Sequence, residues 1–219
     1  MPRARLVSLG LLTLFALRVT AADAQTATPT QGPTAQRSRA ADVATFLAGG
    51  AVGLLAHEGG HLLFNVVFDA EPGVRRVDFH GIPFFAITHR PDLSPAREFT
   101  ISAAGFGVQH AGSEWLLTKR PRLRFEKAPL AKGILAFNVL ASGAYAGAAF
   151  ARTGPQERDT RGMAVSSGID ERWIGALILA PAVLDAWRYF DPDARWAVWI
   201  SRAAKAGTVL LVFRAAAQS

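Results

Sequence analysis

The sequence predicts an all-α integral membrane helix bundle, with four to five transmembrane helices and a short β-hairpin between the first two. Three observations carry this prediction. Half of the 219 residues are apolar, only 19% are charged, and mean hydropathy is +0.19. A soluble domain carries charge nearer a quarter, and a disordered chain lacks this apolar content. Apolar stretches recur along the chain, each near the ~20 residues a helix needs to cross the hydrocarbon layer. One segment between them changes to a period of two, which is the pattern of a strand.

Residues 1–24 read as a secretory signal peptide. Arg3 and Arg5 give a basic start, Leu6–Leu17 is an apolar core, and Ala22-Asp23-Ala24 supplies the small-x-small pattern before Gln25. An uncleaved anchor is the competing reading, because Arg18 interrupts the tail of the core. Residues 25–40 follow as a flexible leader: Gln25–Arg39 is rich in Thr, Pro and Gln and has no apolar period. The remaining unit, 41–214, is the membrane-embedded domain.

Within it, Ala41–Phe68, Phe99–Thr118, Pro129–Phe150 and Trp173–Phe190 are the four expected spans. All are rich in Gly, Ala and Ser, which let membrane helices approach closely where lipid supplies no hydrophobic drive. Trp196–Phe213 is the fifth. Arg202 and Lys205 sit near its middle, one turn apart, while Trp196, Trp199, Ile200 and Ala203 lie on another face. That fits an interfacial amphipathic helix, or a span that keeps its charges inside the bundle. Between the first two spans, Val77 and Phe79 alternate with Arg76, Asp78 and His80. Gly81-Ile82-Pro83 breaks this strand, and Phe84–Thr88 forms a second. Ser94-Pro95 opens the next helix, with proline at the first helical position.

The net charge is +7, from twenty Arg and four Lys against 17 acids. These basic residues lie between the apolar runs, where topology signals sit, so they point to lipid headgroups and not to nucleic acid. Counting spans from an external N-terminus puts Lys119–Lys127, a strongly basic link, outside the membrane. The positive-inside rule opposes that, so either the second stretch does not cross or an anchor shifts the count. Cysteine is absent, which excludes disulfides, iron–sulfur clusters and thiol nucleophiles. A metal site must use His, Asp and Glu.

Such residues occur in the first span, in His57-Glu58-Gly59-Gly60-His61. On a helix, His57 and His61 share one face, so their imidazoles can grip one Zn2+ ion. Glu58 is placed to take a proton from a water at that ion. Ionisable residues in an apolar run are expensive to bury and usually mark function. Gly59 and Gly60 cost helix stability and imply close backbone approach by a substrate or a packed helix. A catalytic zinc needs a third protein ligand. Asp185 leads, deep in an apolar stretch, and an Asp185–Arg188 pair is its structural alternative. His110 and Glu114, four apart in the second span, compete for the position. His80 and His89 flank the hairpin and read as interfacial.

These features resemble the site-2 protease family of intramembrane zinc metalloproteases. The resemblance runs from Ala41 to about Phe190. It rests on the His57–His61 motif, the hairpin, Ser94-Pro95-Ala96-Arg97-Glu98-Phe99, Ala103-Ala104-Gly105-Phe106, and Pro181 before Leu184-Asp185. It implies zinc bound by His57, His61 and Asp185, with Glu58 as catalytic base. The implied reaction is cleavage of a membrane-protein or peptide substrate, in the cell (inner) membrane. The chain departs from the family at Ala186, where the family has Gly, and at Phe106, where it has Pro. A non-catalytic membrane metal-binding or scaffold protein that retains the site is the alternative function.

Overall fold

Proline suits the first turn of a helix, where its missing N–H would have had no partner. After the longest described helix, α1 (Pro33–Val67), two helices here begin on one: Pro95 opens α2 (Pro95–Lys119) and Pro129 opens α3 (Pro129–Ala151). A 3₁₀ turn, Leu123–Phe125, joins the last two. The chain continues through a short helix, α4 (Asp159–Ser167), then α5 (Glu171–Phe190) and α6 (Arg195–Ala217). The computed structural model describes residues 33–79 and 82–217, so the expected signal peptide and His80 lie outside the described residues. The expected leader is corrected at its end: residues 33–40 already belong to α1.

The hairpin is present. Strands β1 (Gly73–Phe79) and β2 (Ile82–Thr88) pair antiparallel, from Gly73 opposite Thr88 to Phe79 opposite Ile82. Ile82 and Pro83 are part of β2, not of the break. A two-stranded ribbon leaves half its N–H groups pointing outward, and there a proline costs no ladder bond. Helix α4 was not expected. Its sequence reads as a polar link, and its end is set by Gly168, whose φ of 70° is the left-handed geometry that glycine adopts freely.

Among the described residues, two helices are long and apolar enough to cross a membrane by length and composition, over Ser38–Val67 and Pro129–Ala151. Four to five was the expectation from the sequence. The difference has a physical cause: α2, α5 and α6 carry polar side chains on the faces they turn to one another. Helix α2 is central, packed against α1, α3, α4, α5 and α6. Its N-terminal half joins Phe99, Ala103 and Phe106 to Met163, Ile174 and Ile178. Its C-terminal half joins Leu116 and Leu117 to Leu123 and Leu135. Helices α1 and α3 touch backbone to backbone, for a Cβ on Gly133 would fall 1.9 Å from the Phe46 carbonyl oxygen.

Between the apolar clusters runs a charged seam. Glu114 of α2 accepts from Arg188 of α5 at 2.6 Å and from Arg202 and Lys205 of α6, both at 2.9 Å. Asp185 of α5, only 1% exposed, accepts from Lys205 at 2.7 Å and from Ser201 at 2.9 Å. Arg188 is a weaker third partner at 3.5 Å. Of the two cations of α6, Lys205 is therefore buried in the bundle, while Arg202 reaches Glu114 from the surface with its side chain 43% exposed.

Lys205 closes this seam, and its loss leaves two inward carboxylates short of a cation. Lys205→Met is expected to destabilise the fold by about 3–5 kcal/mol, the usual cost of breaking a buried pair. Arg120→Ala, which breaks the exposed Arg120–Glu126 pair, should cost at most about 1 kcal/mol. Thermal unfolding of both variants in one lipid or detergent environment checks the contrast.

Candidate metal centre

His57 and His61 are one helical turn apart on α1 and point the same way. The chain brings a carboxylate to them from elsewhere: Asp159, in the first turn of α4. The Nε2 atoms of the two imidazoles are 3.1 Å apart. Asp159 Oδ2 lies 3.2 Å from His57 Nε2 and 3.4 Å from His61 Nε2. Ligands about 2.0–2.1 Å from a tetrahedral zinc stand about 3.3–3.4 Å from one another. The triangle has nearly that size, so His57, His61 and Asp159 could hold a metal ion.

The surroundings orient each member. His61 Nδ1–H donates to the Ile101 carbonyl of α2 at 2.7 Å, which leaves the Nε2 lone pair aimed at the centre. The His57 ring is fixed by packing. It stacks on Tyr145 of α3 at 5.9 Å between centroids and meets the edge of Phe106 at 5.3 Å. Gly105 supplies the room, since a Cβ there would fall 2.4 Å from His57 Cε1. Gly60 has the packing role expected of it: its Cβ would meet the Ala104 carbonyl oxygen of α2 at 2.8 Å. Gly59 faces open space.

Asp159 is held by its neighbour in sequence. Arg158 donates twice to the Glu171 carboxylate, at 2.7 and 2.6 Å, and Thr160 donates to it at 2.8 Å. The start of α4 is thereby tied to the start of α5. Burial pushes the Asp159 carboxyl pKa up, but the His61 and His57 imidazoles outweigh it and hold the group well below the usual carboxylate range. Its place in the first turn of α4 favours the anion too.

Glu58 stands beside the triangle without joining it. With His61, Tyr145 and Asp159 it lines a cavity of about 310 Å³ that reaches β2 and the loop before α4. A smaller, more polar cavity of about 200 Å³ lies against His61 and Asp159, walled by His89, Glu98 and Ser102. There His89 Nε2 pairs with Glu98 at 3.1 Å, and Nδ1–H donates to the Arg90 carbonyl. The bond to Glu98 raises the His89 pKa.

Of the residues the sequence singled out, the structure brings His57, His61 and Glu58 together. Asp185 takes no part: the carboxylate beside the two histidines is Asp159, and Asp185 is bound into the seam with Lys205. Neither of its competitors replaces it. Glu114 faces the cations of α6, and His110 is buried on α2 outside the group. Tyr145 and Gly105 were not recognised as part of the site. Asp159 was passed over because it sits in a polar link with Arg158 and Arg161. Its usable signal is an acidic residue opening a short helical segment between two apolar stretches.

Metal content of purified protein should fall to background in His57→Ala, His61→Ala and Asp159→Ala, and should survive Asp185→Asn. Gly105→Ala should lower metal affinity at least about tenfold, because its methyl displaces the His57 ring; 10–100-fold is usual for disturbed orientation of a ligand. Equilibrium dialysis against a competing chelator measures both. The His89–Glu98 pair should impose a pH dependence of its own. With the folded-state pKa raised, its stabilisation is complete below about 6.5 and is lost as pH climbs through the raised value. The melting difference between wild type and Glu98→Gln should therefore shrink with rising pH.

Compared with protein-family models, curated proteins and solved structures, the chain matches none.

Proposed function

We propose that the protein is an intramembrane zinc-dependent protease that hydrolyses a peptide bond in a membrane-protein segment. One observation carries this reading: two imidazoles and a carboxylate converge at zinc-ligand spacing, with Glu58, a carboxylate outside the triangle, facing the adjoining cavity. Three protein ligands and a free position form the catalytic zinc set. A metal store or scaffold gains nothing from a further carboxylate at an open cavity, so the catalytic reading is preferred over the metal-binding one.

Zinc bound there would supply Lewis acidity, lowering the pKa of water and polarising the scissile carbonyl. Glu58 receives the proton as water oxygen bonds to the carbonyl carbon. It then delivers that proton to the leaving amine nitrogen, so the C–N bond breaks to give a free acid and a free amine. His57, His61 and Asp159 stay fixed throughout. Tyr145 lies against Asp159 and keeps the His57 ring in place.

A bilayer setting is supported by what surrounds α1. Its apolar residues are largely outward, with Leu47 64%, Leu55 59% and Val66 64% exposed, the reverse of a helix in a soluble core. His57 is about 15 Å from the end of α1, within the depth of a hydrocarbon layer. Helices α2, α5 and α6 fit as three further spans, because the carboxylates Glu114 and Asp185 are both met by cations of the neighbouring helices, and the tryptophans of α5 and α6, Trp187, Trp196 and Trp199, are outward. With the secretory leader expected over 1–24, this gives an integral protein of the cell membrane and a membrane-protein or peptide substrate.

Glu58→Gln removes the base and no ligand. It should retain zinc while cleavage of an unwound membrane-segment peptide falls at least about a hundredfold. Wild-type cleavage in the variant would remove Glu58 from the chemistry.

A further inference from the structure

Resting on that reading, we propose that the 310 Å³ cavity beside Glu58 is a side-chain subsite, and that the substrate carries a bulky apolar residue, aromatic or branched, next to the bond that is cut. The cavity is continuous with the site, since Glu58, His61 and Asp159 form part of its wall. Its remaining wall is mostly apolar. Phe85 and Ile87 come from β2, Ala144 and Ala148 from α3, and Pro155 from the loop before α4.

Two of the charged residues at its edge are ion-paired: Arg158 is bound in two places by Glu171, and Glu157 accepts from Arg75 at 3.0 Å. The other two carboxylates of the wall, Glu58 and Asp159, belong to the reacting centre. An anionic substrate side chain would shed its water there without gaining a partner, and a cationic one would pair only by taking the base Glu58 out of the chemistry. Size makes the same selection. An apolar cavity of about 150 Å³ is enough to take benzene, and this one is about twice that. A methyl group would leave most of the wall uncovered. Ala144 and Ala148 are one turn apart on α3, so two methyl groups set the depth of the pocket on that side.

The test uses two hydroxamate-capped dipeptides, identical except for a benzyl or a methyl side chain beside the chelating group. Their affinities are measured calorimetrically on zinc-loaded protein in lipid nanodiscs. The benzyl probe should bind at least about tenfold tighter, as a hydrophobic pocket discriminates side chains of different size. Both probes should need zinc. Ala148→Phe, and separately Ala144→Leu, should narrow the preference in protein whose zinc content is unchanged.

Equal zinc-dependent affinities in wild type would overturn the subsite and leave the metal site standing. A preference that persists through both zinc-bearing variants would place the benzyl group elsewhere and also overturn it. Absence of zinc-dependent binding of either probe would overturn the reading of the site itself, and the subsite with it. The wild-type comparison decides the matter even if a variant fails to fold.

Discussion

An ionisable side chain removed from water costs several kilocalories unless a partner of opposite character meets it, and this bundle is arranged around that constraint. Two such groupings set the arrangement of the described helices. In one, Glu114 and Asp185 are met by Arg188, Arg202 and Lys205, and three helices are joined by the encounter. In the other, Asp159 is met by the two imidazoles of His57 and His61, at 3.2 and 3.4 Å. The first grouping is saturated with cations. The second presents three electron-rich atoms to one point, which suits a divalent ion.

The helix packing follows from where these groupings sit. Helix α2 has to supply Glu114 to one and a notch for His57 to the other, so it lies in the middle and buries polar residues along its length. Its composition is mixed for that reason. The notch needs Gly105, and α1 approaches α2 closely enough to need Gly60 as well. Stabilisation of the histidine pair is thus partly a matter of backbone contact, set by glycines that adjoin the two imidazoles. Asp159 has a different kind of support. The Arg158–Glu171 pair, with Thr160 as a third member, anchors α4 at its first turn and leaves the cavity side clear for Glu58.

These dependencies explain which parts of the protein were legible in the sequence. His57 and His61 were, because both ligands lie on one helix and a spacing of four has one meaning there. The hairpin was legible from its period of two, although Pro83 made the break look longer than it is. The apolar character of α1 and α3 was equally plain, since both are long and apolar enough to cross a membrane by composition alone. The fate of α6 was open, for a helix with Arg202 and Lys205 can turn either way until the acids it meets are known. Asp159 was hidden by its surroundings. A carboxylate in a polar link carries no sign of burial, and only the fold takes it inside.

Asp185 and Asp159 show why a buried carboxylate cannot be assigned from its own neighbourhood in the chain. Asp185 lies in an apolar helix with one basic residue a turn away, and its need for a cation is visible. What the local sequence omits is that Lys205, twenty residues on, returns on the next helix and meets that need at 2.7 Å. Asp159 lies beside Arg158, which looks like its partner, yet Arg158 is taken by Glu171. The nearer cation is used up and the aspartate turns to the histidines. In each case the deciding contact comes from an element packed alongside, so the competition among cations, and not the depth of the apolar run, determines which carboxylate remains available to a metal.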